Sequence, residues 1–204
     1  MTARDNDANH LHPLFRARDL ELWRAVQAAR MPIRPFEGWR DPFRQAFLYC
    51  EGRVPGIGTP GHHVTFETAW GSRHPYGFAR DWVWLIEGAW SWTPPPGYTW
   101  EKFGSLVKAA GLERLAFEQP HVQLPGIDTH GILAGTVPWP AGGDTPWEAN
   151  LEAAIVAWGR APRTVNGIVM PGAPPLPSGR PAGFFVGVDP AADPNAPPSP
   201  APAA

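Results

Sequence analysis

Two short stretches hold residue types that bind metals and move protons. They are GSRHPYGFARDWV at 71–83 and FEQPHVQ at 117–123. In the first, His74 and Asp81 stand in an H-x6-D arrangement, and the acid opens an apolar, β-prone run. A catalytic zinc site takes three ligands from His, Asp, Glu or Cys and keeps a further position for water. His74 and Asp81 supply two, and closing a site draws on a distant segment for the third. His10 and His12 lie near the start of the chain and His130 in a Gly-flanked loop, whereas His121 opens a short strand behind Pro120, which stiffens the approach. Glu118 precedes His121 by three residues. A carboxylate beside a His ligand, but not itself a ligand, is where a general base belongs. Each residue also has a plainer reading: His74 as a turn histidine, Asp81 as a strand acid bonded to backbone, Glu118 as an exposed charge. Spacing by itself leaves the two readings level.

Placing these side chains requires a sheet with helices around it. The run 77–87 reads as an apolar strand on which Asp81 shares a face with Ala79 and Val83, while Phe78, Arg80 and Trp82 take the other. Short strands are expected at 31–40, before a loop, at 63–69, where Val64, Phe66 and Thr68 alternate with Thr65, Glu67 and Ala69, and at 121–125. Helices are expected at 19–30 with Asp19 as cap and at 41–52 with Asp41 as cap and Pro42 at the first position. Two more are expected at 99–111 with Thr99 as cap and at 145–159 with a Thr145–Glu148 capping box. Residues 53–62 and 91–98 read as loops. No regular βαβ unit or Gly-rich phosphate loop appears. The expected class is α+β: a small single catalytic domain with a short antiparallel sheet flanked by helices and the site at the sheet. That domain is expected over 1–165, with a frayed start at 1–12. A Pro-rich tail follows at 166–204, disordered from about 190, with an apolar island at 183–188.

Composition narrows the function. A formal net charge of −2 and no Lys/Arg cluster argue against a nucleic-acid partner. Eleven Trp suggest a core or a cleft built from large rings. The single Cys50 excludes an internal disulfide and a Cys-based zinc site, and its spacing from Phe43 and Phe47 makes it a buried small hydrophobe. No apolar run approaches the ~20 residues of a membrane span, so no membrane insertion is expected. The start lacks the order of a secretory signal, so the chain is expected to be made in the cytoplasm without a signal peptide.

SRHPYGFARD resembles the S-x-H-x-x-G-x-A-x-D signature of the zinc D-Ala-D-Ala carboxypeptidase and L-alanyl-D-glutamate endopeptidase family, the VanY-like peptidases of bacteria and phage endolysins, through Ser72, His74, Gly77, Ala79 and Asp81. FEGWRDPFRQAFLYCEGR is similar to that family's helix through Gly38, Arg40, Gln45, Leu48, Tyr49, Gly52 and Arg53. PGHHVTFETAWGS resembles its PG..vT.A..G.S run, and FEQPHVQ its acid-x-x-H signature. The likeness runs in order over roughly 12–125. Two features depart from it: only ERLAF separates Gly111-Leu112 from Glu118, so the substrate wall there should be short, and Arg80 with the Trp-rich run after it makes an unusual strand exit.

The resemblance implies that His74, Asp81 and His121 bind Zn2+ and that Glu118 is the catalytic base. It implies that Arg40 holds a substrate carboxylate or the developing oxyanion, against a plainer salt bridge to Asp41 or Glu37. Ser72 either bonds substrate or shapes the turn. Gln45 supports the site from behind, as does Gln123, on the strand face of His121. The implied activity is zinc-dependent hydrolysis of a peptidoglycan stem peptide, at L-Ala–D-Glu as in endolysins or at D-Ala–D-Ala as in carboxypeptidases. The protein is expected to be a monomer acting at the cell wall or periplasm after release or delivery by other machinery. A degenerate cell-wall-binding protein, or one whose Pro-rich tail binds a partner, is the non-enzyme alternative.

Overall fold

The computed structural model describes residues 3–140, 145–161 and 163–176. It is α+β, with a short antiparallel sheet and helices around it. Strand β1 (Ile33–Glu37) pairs with β2 (Ala79–Ile86), which also pairs with β3 (Ala89–Ser91) and β5 (His121–Gln123), and β4 (Glu113–Arg114) pairs with β5 on the far side. β2 is central, and its residues are buried from Ala79 to Trp84. The expected loop at 91–98 begins inside a hairpin, because Glu87 and Gly88 both take positive φ and make the two-residue turn that returns the chain as β3.

Helix α1 (Pro13–Ala28) begins before the expected 19–30. Pro13 takes its first position, and the His12 ring accepts a bond from the Leu14 N–H. Asp19 is therefore not a cap. It falls on the same stripe as Phe15, Leu22 and Val26 and is buried with them. Helix α2 (Pro42–Cys50) has the expected Asp41 cap, which accepts from the N–H groups of Phe43 and Arg44. Helix α3 (Trp100–Ala109) has the Thr99 cap and buries Phe103 and Val107. A short helix α4 (Thr129–Ala134) occupies the expected loop around His130, and α5 (Thr145–Arg160) forms where the apolar period predicts it.

Three expectations fail. Residues 63–69 are not a strand: Val64 and Phe66 are exposed, and the backbone is tied down by side chains instead of a ladder. The Gln45 amide donates to Thr65 Oγ1 and to the Glu67 carbonyl, and Arg53 donates to the Thr65 carbonyl. The start is not frayed over its described residues. Leu11 and His12 are fully buried, the Gly38 N–H donates to the Asp5 carbonyl, and the His12 N–H donates to the Gly77 carbonyl. Gly77 is needed for that docking, since it has φ +75 and a Cβ there would lie 2.8 Å from the backbone of His10 and His12. Nor does the domain end at 165. β6 (Thr164–Val165) pairs with β7 (Ile168–Val169), Met170 is buried, and the Trp158 indole donates to the Pro171 carbonyl. The apolar island at 183–188, the disorder expected from about 190 and the Thr145 capping side chain lie outside what is described.

Six of the eleven Trp residues build core: Trp39, Trp70, Trp82, Trp84, Trp147 and Trp158 are buried, whereas Trp90 and Trp92 are exposed, and no Trp lines the cavity described below. Among the described residues no helix is long and apolar enough to cross a membrane.

Candidate metal centre

Three elements converge on one point. A turn of 3-10 helix, His74–Tyr76, presents His74; β2 presents Asp81; β5 presents His121 directly across the ladder from Asp81. All three are buried. His74 Nε2 lies 3.2 Å from His121 Nδ1, and Asp81 Oδ1 lies 3.3 Å from the first and 3.4 Å from the second. These are the edges of a nearly equilateral triangle. A tetrahedral ion with bonds of about 2.0–2.1 Å to nitrogen and oxygen needs donor separations of about 3.3 Å.

The hydrogen bonds around the triangle fix where its lone pairs point. His74 Nδ1 lies 2.7 Å from the Gly38 carbonyl, a pure acceptor, so Nδ1 carries the proton and Nε2 of the neutral ring keeps its lone pair. The Gln123 amide nitrogen donates to Glu113 Oε1 at 2.5 Å, which sets the amide so that its oxygen faces His121. His121 Nε2 donates to that oxygen at 3.0 Å, and Nδ1 is left with a lone pair. Asp81 Oδ2 accepts from Arg40 at 2.7 Å, while Oδ1 is buried with no hydrogen-bond partner. With the rings in these tautomers, three acceptors face one another. A cation converts that repulsion into bonding, so this group could hold a metal ion. Burial opposes charge on Asp81, but in the metal-free chain His74 and His121, when they carry the protons that a metal would displace, act with Arg40 to outweigh burial and hold its carboxyl well below the usual range.

Arg40 makes the Glu37 salt bridge of its plainer reading and two further bonds. Its Nε donates to Glu37 at 2.9 Å, the helix-start ion pair, while Nη2 bonds Asp81 directly and Nη1 donates to Gln45 at 2.8 Å. Glu37 is held in turn by Arg44 at 2.5 Å. Arg40 also lines the cavity, and Nη1 retains a second N–H. Gln45 joins Arg40 to the backbone of the 65–67 loop. Ser72 Oγ accepts from the His74 N–H at 3.3 Å and so shapes the turn, and the residue also borders the cavity.

An open cavity of about 420 Å³ lies over the triangle, bordered by His74, His121, Arg40, Ser72 and Glu118. The Glu118 side chain is partly exposed and has no hydrogen-bond or ion-pair partner among the described residues. Of the residues predicted from sequence, Arg40, Ser72, His74, Glu118, His121 and Gln123 border this cavity, while Asp81 and Gln45 reach it only through their bonds to Arg40. Sequence reasoning offered Glu37 as a partner of Arg40 but missed Glu113 and the Gly38 carbonyl as supports. It also missed Phe66 and Phe117, two exposed aromatic rings on the cavity wall. Their signal was present as apolar residues in stretches that form no buried element.

No protein-family model matches the chain, and no curated protein matches it.

Proposed function

We propose that the protein is a zinc-dependent hydrolase of peptidoglycan stem peptides, cutting the L-Ala–D-Glu amide. The observation that carries the hydrolase reading is the triangle of three buried ligand atoms beside a cavity that also holds an unpartnered carboxylate. Two imidazoles and one carboxylate suit zinc, and a catalytic site of this kind uses three protein ligands. The stem-peptide substrate rests on the likeness of the 72–81 and 118–123 stretches to the VanY-like signatures.

A zinc ion held by His74, Asp81 and His121 would supply Lewis-acid polarisation of a carbonyl and a water acidic enough to ionise near pH ~7. The chain supplies the rest. Glu118 takes a proton from the attacking water as its oxygen bonds to the scissile carbon. The C–N bond then breaks, and Glu118 returns the proton to the leaving amine. The remaining Arg40 N–H is available to the developing oxyanion, and the Asp81 bond fixes the guanidinium in place. Gln123 and the Gly38 carbonyl hold the two rings in the tautomers that ligation needs.

Mass spectrometry of muropeptides digested with zinc-loaded protein tests this. The expected products are disaccharide–L-Ala and a peptide with a free D-Glu amine, absent after EDTA and lowered ~10²–10⁴-fold in Glu118→Ala. Full activity in Glu118→Ala, or no new amine from wild type, would contradict the proposal.

A further inference from the structure

Phe117 and Phe66 are 76% and 70% exposed, the most exposed aromatic side chains among the described residues, and both border the cavity over the metal triangle. They come from separate walls. Phe66 belongs to the 62–68 loop, and Phe117 stands beside Glu118 in the short connection between β4 and β5. Neither sits on slack chain. Phe66 is bracketed by Thr65 and Glu67, whose backbone carbonyls accept from Arg53 and Gln45. Phe117 is bracketed by the Ala116 carbonyl, which accepts from the Gln119 amide, and the Glu118 carbonyl, which accepts from the His121 N–H. Anchored backbone that holds an apolar ring out in water offers that ring to a ligand.

The chemistry of the wall selects the ligand. Polar groups border the same cavity, among them Glu67 with His130 at 3.6 Å, and Arg73. Flat apolar faces ringed by hydrogen-bonding groups match a pyranose, which presents C–H faces edged by hydroxyl and acetamido groups. A stem peptide offers carboxylates, amides and methyl groups, but no flat apolar face. In peptidoglycan the L-Ala–D-Glu bond lies one residue from the lactyl ether of the sugar, within roughly 10 Å at ~3.5 Å per residue. The terminal D-Ala–D-Ala bond lies several residues further out.

We infer that Phe66 and Phe117 form a sugar subsite that holds the glycan ring carrying the stem peptide, so that the protein acts on glycan-linked stems in preference to free peptides. This rests on the stem-peptide reading above and would also account for the choice of the L-Ala–D-Glu bond.

Titration calorimetry with full-length Glu118→Ala protein, which prevents turnover, tests the subsite apart from catalysis. The probes are a disaccharide-tetrapeptide and the same tetrapeptide without sugar. The sugar-bearing probe is expected to bind about tenfold more tightly, and the ratio is expected to approach one when Phe66→Ala and Phe117→Ala are added. Both side chains are exposed, so these substitutions leave the core intact. A parallel hydrolysis assay with otherwise wild-type protein should show the kcat/KM ratio of the two probes falling in the same two variants. Equal affinity for both probes, binding of neither, or a ratio untouched by both substitutions overturns the subsite. Sugar-dependent binding without any hydrolysis by wild type would overturn the hydrolase reading and leave the subsite standing.

Discussion

Strand β2 carries two buried arginine–aspartate pairs on opposite faces, and they are built differently. On one face Arg80 donates to Asp19 Oδ2 at 2.5 Å, and the Trp82 indole donates to Oδ1 at 3.2 Å. Both carboxylate oxygens are satisfied. On the other face Arg40 takes Asp81 Oδ2, while Oδ1 has no hydrogen-bond partner and faces two histidine lone pairs. The Asp19 carboxylate is fully partnered within the chain, although Arg80 Nε is not; the Asp81 carboxylate keeps one oxygen that a cation could take. Charge balance follows the same division. Burial is the larger influence on Asp19 and raises its pKa against the pull of Arg80, whereas the groups around Asp81 overcome burial and keep it ionised. A buried acid marks a site when one of its oxygens is left without a donor, not when it is merely buried and paired.

Substitutions should separate the two pairs. The largest effect is expected from Asp81→Ala, with peptidoglycan hydrolysis falling to background. Its metal-free form should lose less stability than Asp19→Ala, because Arg40 keeps its bonds to Glu37 and Gln45. Asp19→Ala should do the reverse. It strands Arg80 in the core and should cost about 3–5 kcal/mol in denaturant unfolding, with hydrolysis retained below the transition. An Asp81→Ala loss of stability as large as that of Asp19→Ala would erase the distinction.

Smaller changes sharpen it. Gln123→Ala removes the acceptor that fixes the His121 tautomer and should weaken zinc affinity ~10–100-fold, read by competition with a chelating dye. The smallest effect concerns the segment that supports Arg80, whose Nη2 donates to the Asn6 carbonyl. His10 bonds Asp5 in that segment, and this bond, partly opposed by burial, raises the His10 pKa. A raised pKa contributes stability fully present below the ordinary value of about 6.5 and lost as pH rises through the folded value. Amide exchange over 5–12, corrected for intrinsic rate, should therefore quicken as pH rises through that window. An unchanged corrected rate would remove His10 from the clasp.

The sequence made the ligand side chains legible because metal donors are few and their chemistry is written in their types. His74, Asp81, His121 and Glu118 could be named as candidates from type and spacing, which without the resemblance to the VanY-like signatures leave a plainer reading level with the metal one, and Gln123 from the alternation of a strand. Supports made by backbone left no such mark: nothing in the type of Gly38 says that its carbonyl orients His74. Asp19 looked like a cap because the local pattern around it resembles a helix start. Its role depends on Arg80 and Trp82 across the sheet, which no local window contains. The 63–69 stretch alternates like a strand, but no partner strand meets it, and Gln45 and Arg53 claim its backbone instead. The docked start was missed for the same reason, since its partners Gly38 and Gly77 are distant in sequence.

The central claim is that Asp81, His74 and His121 form a centre that needs a cation, while Asp19 and Arg80 need none. Zinc titration of metal-free wild type, Asp81→Ala and Asp19→Ala by calorimetry tests it most directly. About one ion per chain is expected to bind in wild type and in Asp19→Ala, and none with comparable affinity in Asp81→Ala. Unchanged zinc binding in Asp81→Ala, or no binding by wild type, would contradict the account.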